Sequence, residues 1–179
     1  MTAAEYQQLK AYSRIDGLWL AVLWTVSFAC YVLSFRYPGA SVLAFLAVVG
    51  TPFFAARRLR LFRDNVLDGT ISFLRGWGHV MLSFFYASLL FAVVQFAYFM
   101  WIDGGTFLST LTDMFSAPEV RKTLEANGMI QTIEESLTVL RQMRPIDLSL
   151  NIMTTNMLIG VVLGLPIAAV MQRKVSGKR

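Results

Sequence analysis

The sequence predicts an all-α fold: an integral membrane four-helix bundle with a small extracytoplasmic helical insertion between spans three and four. Three observations predict it. Apolar residues make up 56% of the 179, more than a chain of this length can bury. Charged residues, 15% of the chain, avoid long stretches, so the apolar side chains form blocks where a soluble helix would show one stripe. The basic residues sit beside those blocks, so the net charge of +5 reads as membrane orientation, with no surface for nucleic acid.

The elements follow in chain order. Gly17 to Phe35 is uncharged for roughly 19 residues, about 28 Å of helix, which matches the hydrocarbon thickness. Lys10 and Arg14 precede it as they would a cleaved signal, but its length and large residues mark a retained span. Arg36-Tyr37-Pro38-Gly39 is a tight turn, which makes the first two spans an antiparallel hairpin. The second span, about 40–56, contains Pro52, tolerated near a membrane helix end where neighbours satisfy the freed carbonyl. A basic cytoplasmic linker follows over 57–77. His79 to Met100 forms the third span, bracketed by Trp77 and Trp101, whose indoles suit the headgroup zones. Asp103-Gly104-Gly105 ends it.

Residues 103–146 are polar enough to leave the bilayer yet keep helical periodicity, and are expected to form an extracytoplasmic helical cap. Phe107, Leu111, Met114 and Phe115 share one face. Ser116-Ala117-Pro118-Glu119 reads as a capping box with proline at N1, Gly128 stops that helix, and Ile130, Ile133, Leu137 and Leu140 mark a third. The fourth span, about 148–171, carries Asn151, Thr154, Thr155 and Asn156 in its first half and Pro166 in its second. The whole of 1–179 reads as a single membrane domain.

Charge asymmetry sets the orientation. With the N-terminus inside, the cytoplasmic side collects Lys10, Arg14, the five arginines of the linker and the bases Arg173, Lys174, Lys178 and Arg179. Arg36, Arg121, Lys122, Arg141 and Arg144 are left outside. That bias places both termini in the cytoplasm of a bacterial inner membrane.

Candidate chemistry is sparse. Cys30 is the one cysteine, so no intrachain disulfide forms, and Ser27 stands where a lipoprotein cleavage site would need a Leu-like residue. The chain has one histidine, no cluster of metal-ligand type and no cofactor motif, and is expected not to be an enzyme. Adjacent Glu134 and Glu135 point about 100° apart on a helix and read as solvated surface. Ion-coupled transport needs an ionisable group within a span, and the core of no span has one. The best candidate surface for a partner or lipid phosphate is Arg57, Arg58, Arg60, Arg63 and Arg75 with Trp77 and His79, at about 1 kcal/mol per arginine near anionic lipid. Gly160 and Gly164 form a GxxxG pattern that lets helix backbones approach, with Asn151 and Asn156 as hydrogen-bonding partners in helix packing. Contact within the chain and contact with a second copy are equally consistent with that face.

Phe62-Arg63-Asp64, then Gly69, then Ile71-Ser72-Phe73 ahead of a long apolar span resembles the central signature of domain of unknown function family forty-one ninety-nine. Trp101-Ile102-Asp103, Phe107-Leu108, the Gly128-Met129 turn, Met143 to Pro145 and the basic C-terminus extend the resemblance over about 15–174. It implies a small bacterial four-span protein with no catalytic residue to carry over. It also implies proximity to membrane-associated glycosyltransferases that make polyprenyl-phosphate sugars. The expected function is a non-catalytic membrane subunit or scaffold for such a partner. The alternative is an oligomeric transporter or lipid-moving protein with a polar path through Gln95, Asn151, Thr154, Thr155 and Asn156. The expected partners are membrane lipids and that glycosyltransferase, with homo-oligomerisation left open.

Overall fold

The computed structural model describes residues 2–173; of the C-terminal basic cluster, Lys174, Lys178 and Arg179 lie outside that range. Seven helices follow one another among the described residues: α1 Ala3–Ser34, α2 Ala40–Val66, α3 Phe73–Trp101, α4 Thr106–Ser116, α5 Pro118–Ala126, α6 Ile130–Gln142 and α7 Pro145–Met171. Of these, α1, α2, α3 and α7 are long and apolar enough to cross a bilayer. The chain is an all-helical, multi-pass membrane protein.

Each long helix outruns the apolar run that announced it. α1 starts at a capping box in which the Thr2 hydroxyl accepts from the Glu5 N–H at 3.2 Å and the Glu5 carboxylate accepts from the Thr2 N–H at 2.7 Å. α2 passes through Pro52 and continues to Val66, which corrects the expected linker over 57–77. Only 67–72 connect the two helices. Hydropathy ends a span at its first charges, but arginine and leucine are good helix formers and Leu59, Phe62 and Arg63 are buried at i, i+3 and i+4. The helix therefore has a packing reason to go on. Its end is a sharp turn through Asp68 and Gly69, with φ of 50° and 78°, where the Gly69 N–H reaches back to the Arg63 carbonyl at 3.0 Å.

The chain divides into two compact units, Met1–Ala92 with Ile152–Arg179, and Val93–Asn151. In the first, Leu20 and Trp24 of α1, Leu59 and Phe62 of α2, Val80 and Phe84 of α3 and Ile167 of α7 share one core. The glycines show how close the helices come. A Cβ on Gly17 of α1 would lie 2.7 Å from the Tyr86 Cβ and 2.8 Å from the Ser83 carbonyl oxygen, and one on Gly160 of α7 would collide with the Phe84 ring. Thus α3 is clasped between α1 and α7, and the GxxxG face is used inside the chain. Large side chains point the other way: Phe45, Phe53 and Val162 are 65%, 73% and 64% exposed, a surface that lipid would cover.

In the second unit the Asp103 carboxylate accepts from the Gly105 and Phe107 N–H groups at 3.1 and 2.9 Å, seating the first turn of α4. The expected capping box before α5 is not formed. Pro118 does open the helix, but Ala117 is its N-cap and no side chain caps it, because the proline sets the register one residue later than a Ser116 cap requires. None of the residues of α4, α5 or α6 is buried. Arg121 of α5 pairs with Glu125 on its own helix and with Glu134 of α6.

Candidate functional site

The buried face of α1 runs Leu9, Ser13, Asp16, Leu20, steps of four, three and four that place two polar side chains in an otherwise apolar stripe. Asp16 is 4% exposed and Ser13 fully enclosed. α3 brings His79 between them, and α2 brings Arg58 and, one turn on, Phe62. The Asp16 carboxylate holds the imidazole proton on Nε2, which donates to Oδ2 at 2.8 Å. The Ser13 hydroxyl lies 3.2 Å from Nδ1 and donates to the His79 backbone carbonyl at 3.3 Å. On the other carboxylate oxygen, Arg58 Nε donates at 2.6 Å and Nη2 makes a further ion-pair contact. Phe62 stacks flat on the imidazole, with centroids 4.5 Å apart and planes 9° from parallel. His79 is 1% exposed, so the structure places its ring inside the helix bundle and not on its surface.

Serine, histidine and aspartate in one chain of hydrogen bonds invite comparison with a hydrolytic triad. There the carboxylate orients Nδ1 and the serine faces Nε2. Here both attachments are reversed. A cleft of about 310 Å³ lined by Tyr12, Asp16, Arg58, Phe62 and Asn65 reaches the ion pair, but Ser13 is not on its wall. The set can fix three helices against one another and hold a charge pair out of lipid; its hydroxyl does not face a substrate space.

The remaining arginines divide into tied and free. Arg63, 3% exposed, donates to both oxygens of Asp64 at 2.7 and 3.1 Å and, through Nη1, to the Met171 carbonyl at the end of α7 at 2.9 Å. Arg75 reaches Glu5 at 3.4 Å and Gln8 at 2.9 Å on α1. Ile71 and Arg173 exchange backbone hydrogen bonds at 3.0 Å. The start of α1 therefore meets the first turn of α3 and the end of α7 meets the adjoining α2–α3 connection, so both ends of the described chain share one end of this unit. We call it the arginine end. Trp77 donates its indole N–H to the Val161 carbonyl at 3.0 Å, so it packs on α7. Arg57 is exposed, and so is Arg60, which has only a 3.5 Å contact with Asp64.

Of the helix-packing candidates, Gly160 and Gly164 both face α3, where Cβ atoms would meet Phe84 and, at 2.8 Å, Trp77 Cδ1. Asn151 is exposed in the second unit. Asn156 instead lines a cavity of about 520 Å³ formed by α1, α2, α3 and α7 within the first unit.

Sequence reasoning missed Asp16. It lies one residue before the uncharged run, so a rule that begins a span after the last charge excludes it. The signal that finds it is the i, i+3, i+4 spacing that sets Ser13 and Asp16 on the same face as Leu9 and Leu20. The signature stretch also gains a physical reading, because Phe62 stacks on His79, Arg63 ties α2 to α7, Gly69 makes the turn and Ile71 pairs with Arg173. No group of three or more metal-ligating side chains comes together among the described residues. No curated protein and no solved structure matches the chain. The family model described as Protein of unknown function (DUF4199) matches residues 16–173, and the chain belongs to that family.

Proposed function

We propose that the protein is a non-catalytic multi-pass subunit of a bacterial inner membrane, with both termini cytoplasmic, that holds a partner at its arginine end. A membrane-associated glycosyltransferase making polyprenyl-phosphate sugars is the partner we favour. The observation that supports this most is the way the arginine end closes on itself. Asp16, His79, Arg58, Arg63 and Arg75 are all committed to internal partners, which makes a stiff platform. Arg57 and Arg60 stay outward on α2, as a docking pair for an acidic surface or a lipid phosphate. The enclosed Ser13 and the reversed attachments on His79 favour a structural role for the one constellation that resembles catalytic machinery. Both ends of the described chain meet at the face richest in arginine, in keeping with a cytoplasmic location for that face.

Substituting Arg57→Gln and Arg60→Gln together is expected to weaken recovery of the partner by up to roughly 30-fold, from about 1 kcal/mol per arginine near a polyanionic surface. Melting of the protein itself stays unchanged. The measurement is quantitative pull-down from membranes in mild detergent, with partner identification by mass spectrometry. A wild-type protein that recovers no stoichiometric partner would sink the reading, as would an undiminished yield from the double variant. The transporter alternative draws on Asn156 alone, the one residue of its five-residue polar path that lines the cavity.

A further inference from the structure

The cavity of about 520 Å³ lies wholly within the four-helix unit, inside the size range of small-molecule sites. Trp24 and Ser27 on its wall stand about 10–15 Å along α1 from Gly17, where the uncharged run begins. That is the middle of a hydrocarbon layer about 30 Å thick. The wall is aromatic and fixed: Trp24 meets Phe84 and Phe91 edge-on at 5.4 and 5.8 Å, and Phe28 meets Phe91 at 5.9 Å.

Polar groups at this depth are costly unless satisfied, and most here are. The Trp24 N–H donates to Thr51 Oγ1 at 3.2 Å, and Ser27 donates to the Ala44 carbonyl at 3.0 Å. Two are not settled in this way. Pro52 has no N–H, so the Val48 carbonyl loses its donor in the helical ladder, and both residues line the cavity. Asn156 also lines it. The occupant must therefore come from the bilayer, be apolar and flat enough for an aromatic slot, and present oxygen at mid-membrane. Phospholipid chains offer only methylenes there.

We infer that this cavity binds a lipid-soluble quinone, with a ring carbonyl accepting from the Asn156 amide among Trp24, Phe28, Phe84 and Phe91. The apolar tail runs out along Phe45 toward lipid. In the quinol form a ring hydroxyl donates to the Val48 carbonyl in place of the ladder N–H that Pro52 does not have.

The test uses the full chain in nanodiscs of phosphatidylethanolamine and phosphatidylglycerol, titrated with decylubiquinone and followed by tryptophan emission. Saturable quenching is expected. Asn156→Leu should raise the half-saturating concentration at least about tenfold, and Phe45→Ala, on an exposed wall position that the fold does not depend on, about threefold. 1-Decanol, which has the tail without the ring, should not displace the quinone. Quenching that rises without saturation in all three proteins overturns the inference, as does an Asn156→Leu protein that binds like wild type. So does displacement by 1-decanol, or a Val48→Cys protein that cross-links quantitatively to a second copy and thereby shows that another chain covers the opening.

Discussion

Replacing Asp16 by alanine is expected to destabilise the protein by about 3–5 kcal/mol, the cost of leaving buried charges without their partner. Arg58 would lose its carboxylate, and the His79 proton on Nε2 would lose its acceptor. The measurement is SDS-titrated unfolding in mixed micelles. An effect below about 1 kcal/mol would mean that the cluster is not what fixes α1, α2 and α3 together. The companion experiment separates lost packing from stranded charge. Asp16→Leu combined with Arg58→Leu and His79→Phe removes every charge while keeping bulk, and should recover most of the lost stability, because apolar replacements of buried ion pairs are often neutral or better. If the triple variant is as unstable as Asp16→Ala, the polar contacts themselves carry the stability.

A second large effect is expected at Gly160. Its Cβ position overlaps the Phe84 ring, and Phe84 is itself fully buried. Neither side has room to yield. Gly160→Val should therefore cost about 3 kcal/mol or more, at or beyond the upper end for overpacking, read by the same unfolding titration. Phe84→Ala in the same chain should return part of that loss by vacating the space. Gly164→Ala should be milder, since its closest approach is 2.8 Å, to Trp77 Cδ1, whereas at Gly160 the Phe84 Cβ lies closer still. Equal effects at the two glycines would show that the helices separate as rigid bodies instead of meeting at these points.

How much of this was legible in the sequence differs by level. The four long helices were, because lipid solvation demands long uncharged runs and nothing else in the chain competes with that demand. Their ends were not. A span stops where charge begins, whereas α2 continues for another ten residues on the packing of Leu59, Phe62 and Arg63. The arginines were legible as a cluster and illegible as individuals. Spacing alone does not tell Arg58, which turns inward to Asp16, from Arg57, which turns out, without knowing which helix lies alongside. Asp16 was hidden for the same reason, since its partners His79 and Arg58 are 63 and 42 residues away. The GxxxG face left intramolecular and intermolecular contact equally open, and only the position of Phe84 decided between them.

The bond from Arg63 to the Met171 carbonyl joins residues 108 apart, and the Ile71–Arg173 pair spans nearly as far. A ribosome making this chain releases α2 long before α7 exists. Throughout that interval one arm of a guanidinium and one strand of backbone wait for an acceptor that only the last helix brings. Delivery of that helix completes the latch, and a polypeptide stalled short of it is left with that hydrogen bonding unfinished.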